Sequence, residues 1–146
     1  MRKALKTGNA TFQLSAPEWE EWNNSHLAHS RIVALVDNKI AGWAALTPVS
    51  GRCVYAGVGG SECVRCRKIQ GAKIGSALLQ ELIKQSEVNN IWTLQAGIFP
   101  ENKGSIKIHE ENGFRTVGYR EKIGQMNGVW RNTVLMEKKK YCCCIK

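Results

Sequence analysis

The sequence predicts an α/β layer fold on a mixed sheet, and three observations carry that prediction. Apolar, β-branched runs at residues 32–36 and 40–46 flank a polar turn. A stripe of helical period follows at residues 76–87, and then a buried apolar run at residues 91–98. After a second, shorter helix, two further strand-like runs end the ordered pattern. No internal repeat interrupts this order.

Length and composition bound the answer before any motif is considered. At 146 residues the chain is most simply one domain, residues 1–137, with a basic, cysteine-rich tail at residues 138–146. Apolar residues make up 43% and charged residues 23%, a globular balance that excludes a disordered chain. No apolar run has the length of a membrane span, and Met1-Arg2-Lys3 is not followed by the apolar core of a secretory signal. The expected compartment is therefore the cytoplasm.

Taken in order, residues 1–13 have no clear period. Ser15-Ala16-Pro17-Glu18-Trp19-Glu20 is a helix start, with a small polar cap, an early proline and acids in the first turn. That helix runs to about residue 25 and sets Trp19 and Trp22 on one face, where they would anchor it to the core. Asp37-Asn38-Lys39 turns the first hairpin, residues 47–52 form a loop, and a third strand begins over residues 54–58. In the long helix, Ile74, Leu78, Leu79, Leu82 and Ile83 share a stripe while Gln80, Lys84, Gln85 and Glu87 face away. Asn89-Asn90 ends it, and Pro100 breaks the strand that follows. The second helix, near residues 104–112, stops at Asn112-Gly113, and strands at 114–122 and 129–137 surround residues 124–128.

Chemistry enters at Gln70-Gly71-Ala72-Lys73-Ile74-Gly75, a glycine-bearing turn opening the long helix. Backbone N–H groups at such an entrance lack intrahelical partners, and the helix dipole adds positive potential, so the turn suits a pyrophosphate. The formal net charge of +9 agrees with an anionic partner, and Arg65, Arg67, Lys68 and Lys73 cluster at the turn. A nucleic-acid module would add exposed aromatics or a recognition helix, and neither motif is present.

The cysteines are Cys53, the C-x-x-C pair Cys63 and Cys66, and Cys142-Cys143-Cys144. Without export, disulfides are not expected. The pair resembles half a zinc site, but no second pair follows at a familiar spacing, so no metal site is assigned. The tail matches a prenylation box only loosely, and its lysines beside cysteines also fit palmitoylation; adventitious thiols are the simpler account. His26 and His29 flank a loop and are expected to be solvated, whereas His109, on the second helix, is expected to pack or cap.

Four blocks give the chain a family likeness: residues 42–50, residues 71–79, Trp92-Thr93-Leu94-Gln95-Ala96-Gly97-Ile98-Phe99-Pro100-Glu101-Asn102, and His109-Glu110-Glu111-Asn112-Gly113-Phe114. Gly128-Val129-Trp130-Arg131 adds a fifth. The chain resembles N-acetyltransferases of the GNAT superfamily, of the phosphinothricin acetyltransferase type, from residue 7 to about residue 137. The resemblance implies a GNAT-like mixed sheet flanked by helices, acetyl-CoA as donor, a small amine as acceptor, and a homodimer supported by the last strand. It implies that the backbone of Cys63, Val64 and Arg65 holds the pantetheine arm. Gly71, Ala72, Lys73, Ile74, Gly75 and Ser76 would hold the pyrophosphate, Asn102 would contact the donor, and Arg52, Cys53 and Tyr55 would reach the acceptor. Amine attack on a thioester further needs a proton acceptor and donors for the developing oxyanion.

Departures from the family pattern are specific. Lys73 stands where the family turn has a glycine, which costs stability if that position requires positive φ. Where relatives carry a strand like A-E-V-S-V-Y-V, this chain has Gly59-Gly60-Ser61-Glu62-Cys63-Val64-Arg65, so the family glutamate falls on Gly60 and the catalytic residue is unassigned. Glu62 shares the face of Gly60 but lies two residues further on, roughly 7 Å along a strand. One choice of codons for residues 59–70, read one base later, restores A-E-V-S-V-Y-V, so a frameshifted window is one account of this stretch. Family members also carry a first strand and helix before the segment matching residues 7–12, and those are expected to be missing here. In the matching W-R-D run the aspartate has become Asn132, removing one partner for Arg131. The alternatives are a catalytically dead fragment that keeps only the fold or CoA binding, and a zinc or nucleic-acid interaction module on the cysteines.

Overall fold

Two-residue turns of left-handed backbone close both hairpins of the sheet: Asp37 and Asn38 at φ 49° and 57°, and Asn127 and Gly128 at 51° and 76°. Paired positive φ is the twist that joins adjacent antiparallel strands, which is why Asp-Asn and Asn-Gly occupy these positions. The computed structural model describes residues 11, 15–66, 69 and 73–140. Its elements are α1 (Trp19–Ser25), β1 (Ile32–Val36), β2 (Lys39–Pro48), a 3₁₀ turn (Cys53–Tyr55), β3 (Val58–Arg65), α2 (Ile74–Val88), β4 (Thr93–Ile98), α3 (Lys103–Glu111), β5 (Arg115–Met126) and β6 (Val129–Lys139). The expected strand over residues 54–58 is corrected: Cys53–Tyr55 coil into the 3₁₀ turn, and the strand starts only at Val58.

The described strands form one six-stranded sheet in the order β1-β2-β3-β4-β6-β5. β3 and β4 run parallel, connected through α2, and the other neighbours are antiparallel, so the sheet is mixed as expected. Alternation along each strand sorts the two faces. Ala44 and Leu46 of β2, Cys63 of β3, and Leu94, Ala96 and Ile98 of β4 join Ile74, Leu78, Leu79 and Leu82 of α2 in the core. Gly42 lies under α2, where a Cβ would come within 2.9 Å of Leu78 Cδ1 and 2.7 Å of the Val64 carbonyl oxygen. Its missing side chain lets helix and sheet approach closely.

The opposite face is covered differently. Trp22 of α1 meets Trp43 of β2 edge to face at 5.5 Å between ring centroids. Trp19 does not anchor the helix as expected: it stacks on Trp22 at 5.6 Å but is 67% exposed. Val33, Leu35 and Ile40 of the first hairpin are exposed as well. Together Trp19, Trp22, Val33, Ile40 and Trp43 line most of an apolar groove of about 470 Å³.

Candidate active site

The parallel ladder between β3 and β4 is short. It pairs Val58 with Thr93, Gly59 with Leu94 and Gly60 with Gln95, and ends there, although β3 continues to Arg65 and β4 to Ile98. On its other side β3 stays in register with β2 all the way from Gly59↔Pro48 to Arg65↔Gly42. Residues 61–65 therefore offer backbone groups on the β4 side to whatever enters between the parting strands. Ser61 Oγ donates to the Gln95 carbonyl at 3.2 Å, at the point where the strands separate.

The entrance of α2 lies past the open end of β3. Its first intrahelical bond to an N-terminal carbonyl runs from Ala77 N–H to Lys73 O at 3.0 Å, and the N-cap residue Lys73 makes no side-chain capping bond. The amides of Ile74, Gly75 and Ser76 thus precede the helical ladder, as the first turn of any helix requires. Lys73 sits at φ 41°, ψ 31°, the left-handed conformation that makes a lysine more costly than glycine. Gly71 and Ala72 lie outside the described residues, as do Gln70, Arg67, Lys68 and the tail cysteines 142–144. Packing explains two of the motif residues: a Cβ on Gly75 would come within 3.2 Å of Ile108 Cδ1, and Ser76 Oγ accepts from Asn112 Nδ2 at 3.1 Å. Both contacts dock α3 against the first turn of α2.

Asn102 follows β4 and caps α3, its Oδ1 accepting from Ser105 N–H at 3.2 Å. Arg52, Cys53 and Tyr55 lie before β3, at the end of the strand opposite its open portion; all are exposed, and the Arg52 guanidinium lies over the Tyr55 ring at 5.9 Å. Val64 and Arg65 occupy the open part of β3 with Cys63. The Cys63 side chain turns into the core, and burial, followed by the neighbouring Glu62 charge, pushes its thiol up to about 12. Such a thiol stays protonated and makes a poor metal ligand.

Gly60 pairs with Thr47, whose Oγ1 donates to the Gly60 carbonyl at 3.3 Å and would lie 2.7 Å from a Cβ placed there. Glu62, on the same face and opposite Ala45, meets a residue whose expected role is corrected here. His26 is not solvated: it is 9% exposed and stacks on Trp22 at 4.0 Å. Its Nε2 lies 3.2 Å from Glu62 Oε2, and its Nδ1 lies 2.7 Å from the Trp22 carbonyl and 3.0 Å from Ser25 Oγ. His29 is half-buried, with Nδ1 2.8 Å from Ser30 Oγ. His109 packs as expected, edge to face with Phe114 at 4.8 Å; its Nδ1–H donates to the Ser105 carbonyl at 2.8 Å. Burial lowers its pKa, the carbonyl bond partly opposing the shift.

Comparison with known proteins gives this geometry a context. The Acetyltransferase (GNAT) family profile matches residues 5–114. YwnH of Bacillus subtilis, provisionally named a phosphinothricin acetyltransferase, is 29% identical over 110 residues, covering 74% of this chain and 68% of YwnH. An L-methionine sulfoximine/L-methionine sulfone acetyltransferase of Pseudomonas aeruginosa is 31% identical over 68 residues, 47% of this chain and 40% of that protein. The crystal structure of a GNAT superfamily phosphinothricin acetyltransferase from Sinorhizobium meliloti, in complex with AcCoA, superposes with a TM-score of 0.83 at 23% identity. That match covers 94% of this chain and 78% of the other. Parted strands, an uncapped helix entrance beyond them and a profile match over most of the chain agree: this protein belongs to the GNAT acetyltransferase family, whose acetyl donor is acetyl-CoA.

Proposed function

We propose that the chain transfers the acetyl group of acetyl-CoA to the primary amine of a small amino acid or analogue, of the phosphinothricin or methionine sulfoximine kind. The observation that carries this reading is the early end of the β3–β4 ladder at Gly60↔Gln95, with the uncapped start of α2 beyond it. Acetyl-CoA supplies the activated acyl carbon. The chain supplies grip and alignment. Amides of Ile74, Gly75 and Ser76, with Gly71, Ala72 and Lys73, are assigned to the pyrophosphate, which suits the first turn of a helix and its dipole. Backbone groups of Cys63, Val64 and Arg65 are assigned to the pantetheine arm, and Asn102 to the donor from the far side of the opening. Arg52, Cys53 and Tyr55 are assigned to the acceptor, whose class follows the names of the relatives. We further assign the partner of the β5–β6 hairpin, where Tyr119, Val129 and Trp130 are exposed, to a second copy of the chain.

The test is thermal. Acetyl-CoA at a hundred times its dissociation constant stabilises a native state by about 2.7 kcal/mol, so the melting temperature rises measurably. An unchanged melting temperature at saturating acetyl-CoA rejects the reading.

A second reading is favoured by one residue: with Gly60 at the family glutamate position, the chain holds the donor without turning it over. Turnover compared before and after writing A-E-V-S-V-Y-V at residues 59–65 separates the two. Equal, substantial rates reject the inactive reading. The new glutamate requires the half-buried Thr47 hydroxyl to swing aside and give up its bond to the residue 60 carbonyl.

A further inference from the structure

We propose that Glu62 is the proton acceptor of this acetyltransferase and that His26 is its positioning partner, a pair that takes over from the missing glutamate at position 60. The inference rests on the transfer reading above.

Position comes first. Glu62 is two residues beyond the last β3–β4 pair, on the face of β3 opposite the buried core side chains. That places it beside the mouth of the parted strands, on the sheet face away from α2. Its side chain is 42% exposed, and Oε2 is engaged by His26. The other carboxylate oxygen makes no hydrogen bond among the described residues and is left to face an incoming amine.

The hydrogen-bond pattern then fixes where a proton belongs. The Trp22 carbonyl can only accept, so His26 Nδ1 carries hydrogen and donates to it at 2.7 Å. Nε2, at 3.2 Å from Glu62, therefore faces a carboxylate with its lone pair unless one proton lies between them. Two lone pairs held at that distance form an acceptor site for the proton that the amine releases. Arg31 holds the histidine in place, donating through Nη2 to the His26 carbonyl at 3.0 Å and lying over Trp22 at 5.2 Å. The charged or titratable groups around the pair are Arg31 from the segment before β1 and Cys63 beside Glu62 on β3; the facing residues of α1 and β2, Trp22, Ser25, Trp43 and Ala45, carry no charge.

The step balances without a further reagent. The amine nitrogen forms a bond to the acetyl carbon, the carbon–sulfur bond breaks, and the thiolate leaves with the electron pair and takes a proton from water. The proton lost by nitrogen passes to Glu62 and is shared with His26 Nε2, then returns to solvent after release.

Glu62→Gln tests this with L-methionine sulfoximine and phosphinothricin as acceptors. The substitution is isosteric at a partly exposed site and retains a hydrogen bond to His26. The expected result is a loss of kcat on the order of 100-fold with an acetyl-CoA-induced melting shift equal to the wild type's. His26→Gln is expected to lower kcat about 10-fold while leaving the KM for acetyl-CoA and the acetyl-CoA melting shift unchanged. In histidine NMR spectra, Glu62→Gln is expected to shift the His26 Nε2 resonance while leaving those of His29 and His109 in place, a readout independent of turnover. A Glu62→Gln variant with wild-type kcat overturns the proposal. So does a wild-type chain that shows the melting shift yet acetylates neither acceptor at any pH. Loss of the shift in every form, wild type included, instead marks failure of the transfer reading itself.

Discussion

Lys73 offers a measurement of backbone strain at the mouth of the site. The residue sits at φ 41°, ψ 31°, immediately before α2, and its carbonyl starts the helical ladder through Ala77. An L-residue in this region pays about 1–2 kcal/mol relative to its ordinary conformations, while glycine loses about 0.5–1 kcal/mol more chain entropy on folding. The difference predicts that glycine exceeds alanine at this position by about 1 kcal/mol. Comparing Lys73→Gly with Lys73→Ala is cleaner than comparing either with the wild type. Both variants remove the ammonium from the positive end of the helix, so its unfavourable interaction with the dipole cancels. Thermal unfolding without ligand should place the glycine variant about 3 °C above the alanine variant, given the slope for a domain of this size. In acetyl-CoA titrations both variants should lose the same increment if the ammonium contributes to the pyrophosphate. Coincident melting of the two variants would refute the strain argument.

Two further outcomes follow from titratable groups. Cys63, with its thiol pushed up to about 12 and its side chain in the core, should resist iodoacetamide at pH 8 while exposed Cys53 is alkylated, as peptide mass spectrometry would show; equal labelling contradicts the burial argument. His109 has a pKa lowered by burial, so below its unfolded value of 6.5 the unfolded chain binds a proton that the folded chain refuses. Stability is then whole above that value and declines as pH falls, by at most about 1.4 kcal/mol per pH unit for one group. Denaturant titrations of the wild type and His109→Phe should differ in that slope, and identical slopes would place the acid sensitivity elsewhere.

Periodicity and turn chemistry made most of the architecture readable. The stripe through Ile74, Leu78, Leu79 and Leu82 became the buried face of α2, and Asn112-Gly113 ended α3 with Gly113 at φ 85°. Residues 54–58 misled because Val54 and Tyr55 have strand propensity, yet among the described residues no neighbouring strand pairs them before Val58. The same limit hid His26. A histidine at the end of a seven-residue helix looks like a loop residue; its burial comes from Trp22, one turn earlier, and from Trp43 and Glu62, which are distant in sequence. Asn132 is similar. Its loss of the family aspartate left Arg131 without one expected partner, but Glu101 supplies a carboxylate at 3.4 Å and Phe99 a ring at 4.2 Å. Asn132 instead accepts from Lys122 N–H and donates to Tyr119 Oη, each at 2.8 Å.

The two halves of the reaction depend on different parts of the polypeptide, and that difference explains where this chain departs from its family. In the proposed transfer, donor binding relies on main-chain groups: amides at the start of α2 and the open edge of β3 exist whatever side chains accompany them, provided the backbone path survives. Lys73 holds the left-handed conformation at the helix entrance even though it is an unfavourable residue there. Proton transfer relies on side chains, and there the chain is altered, with Gly60 bare and Glu62 displaced by two residues on the same face. Because strand alternation returns a side chain to one face only at every second residue, position 62 is the nearest site on β3 toward the open end that can carry such a group. A base moved in that direction shifts where the attacking nitrogen must sit, toward the open end of the strands and toward His26. Acceptor preference should therefore diverge from that of the relatives before donor affinity does, and parallel measurement of the two across the same panel of amines distinguishes this from a general loss of the site.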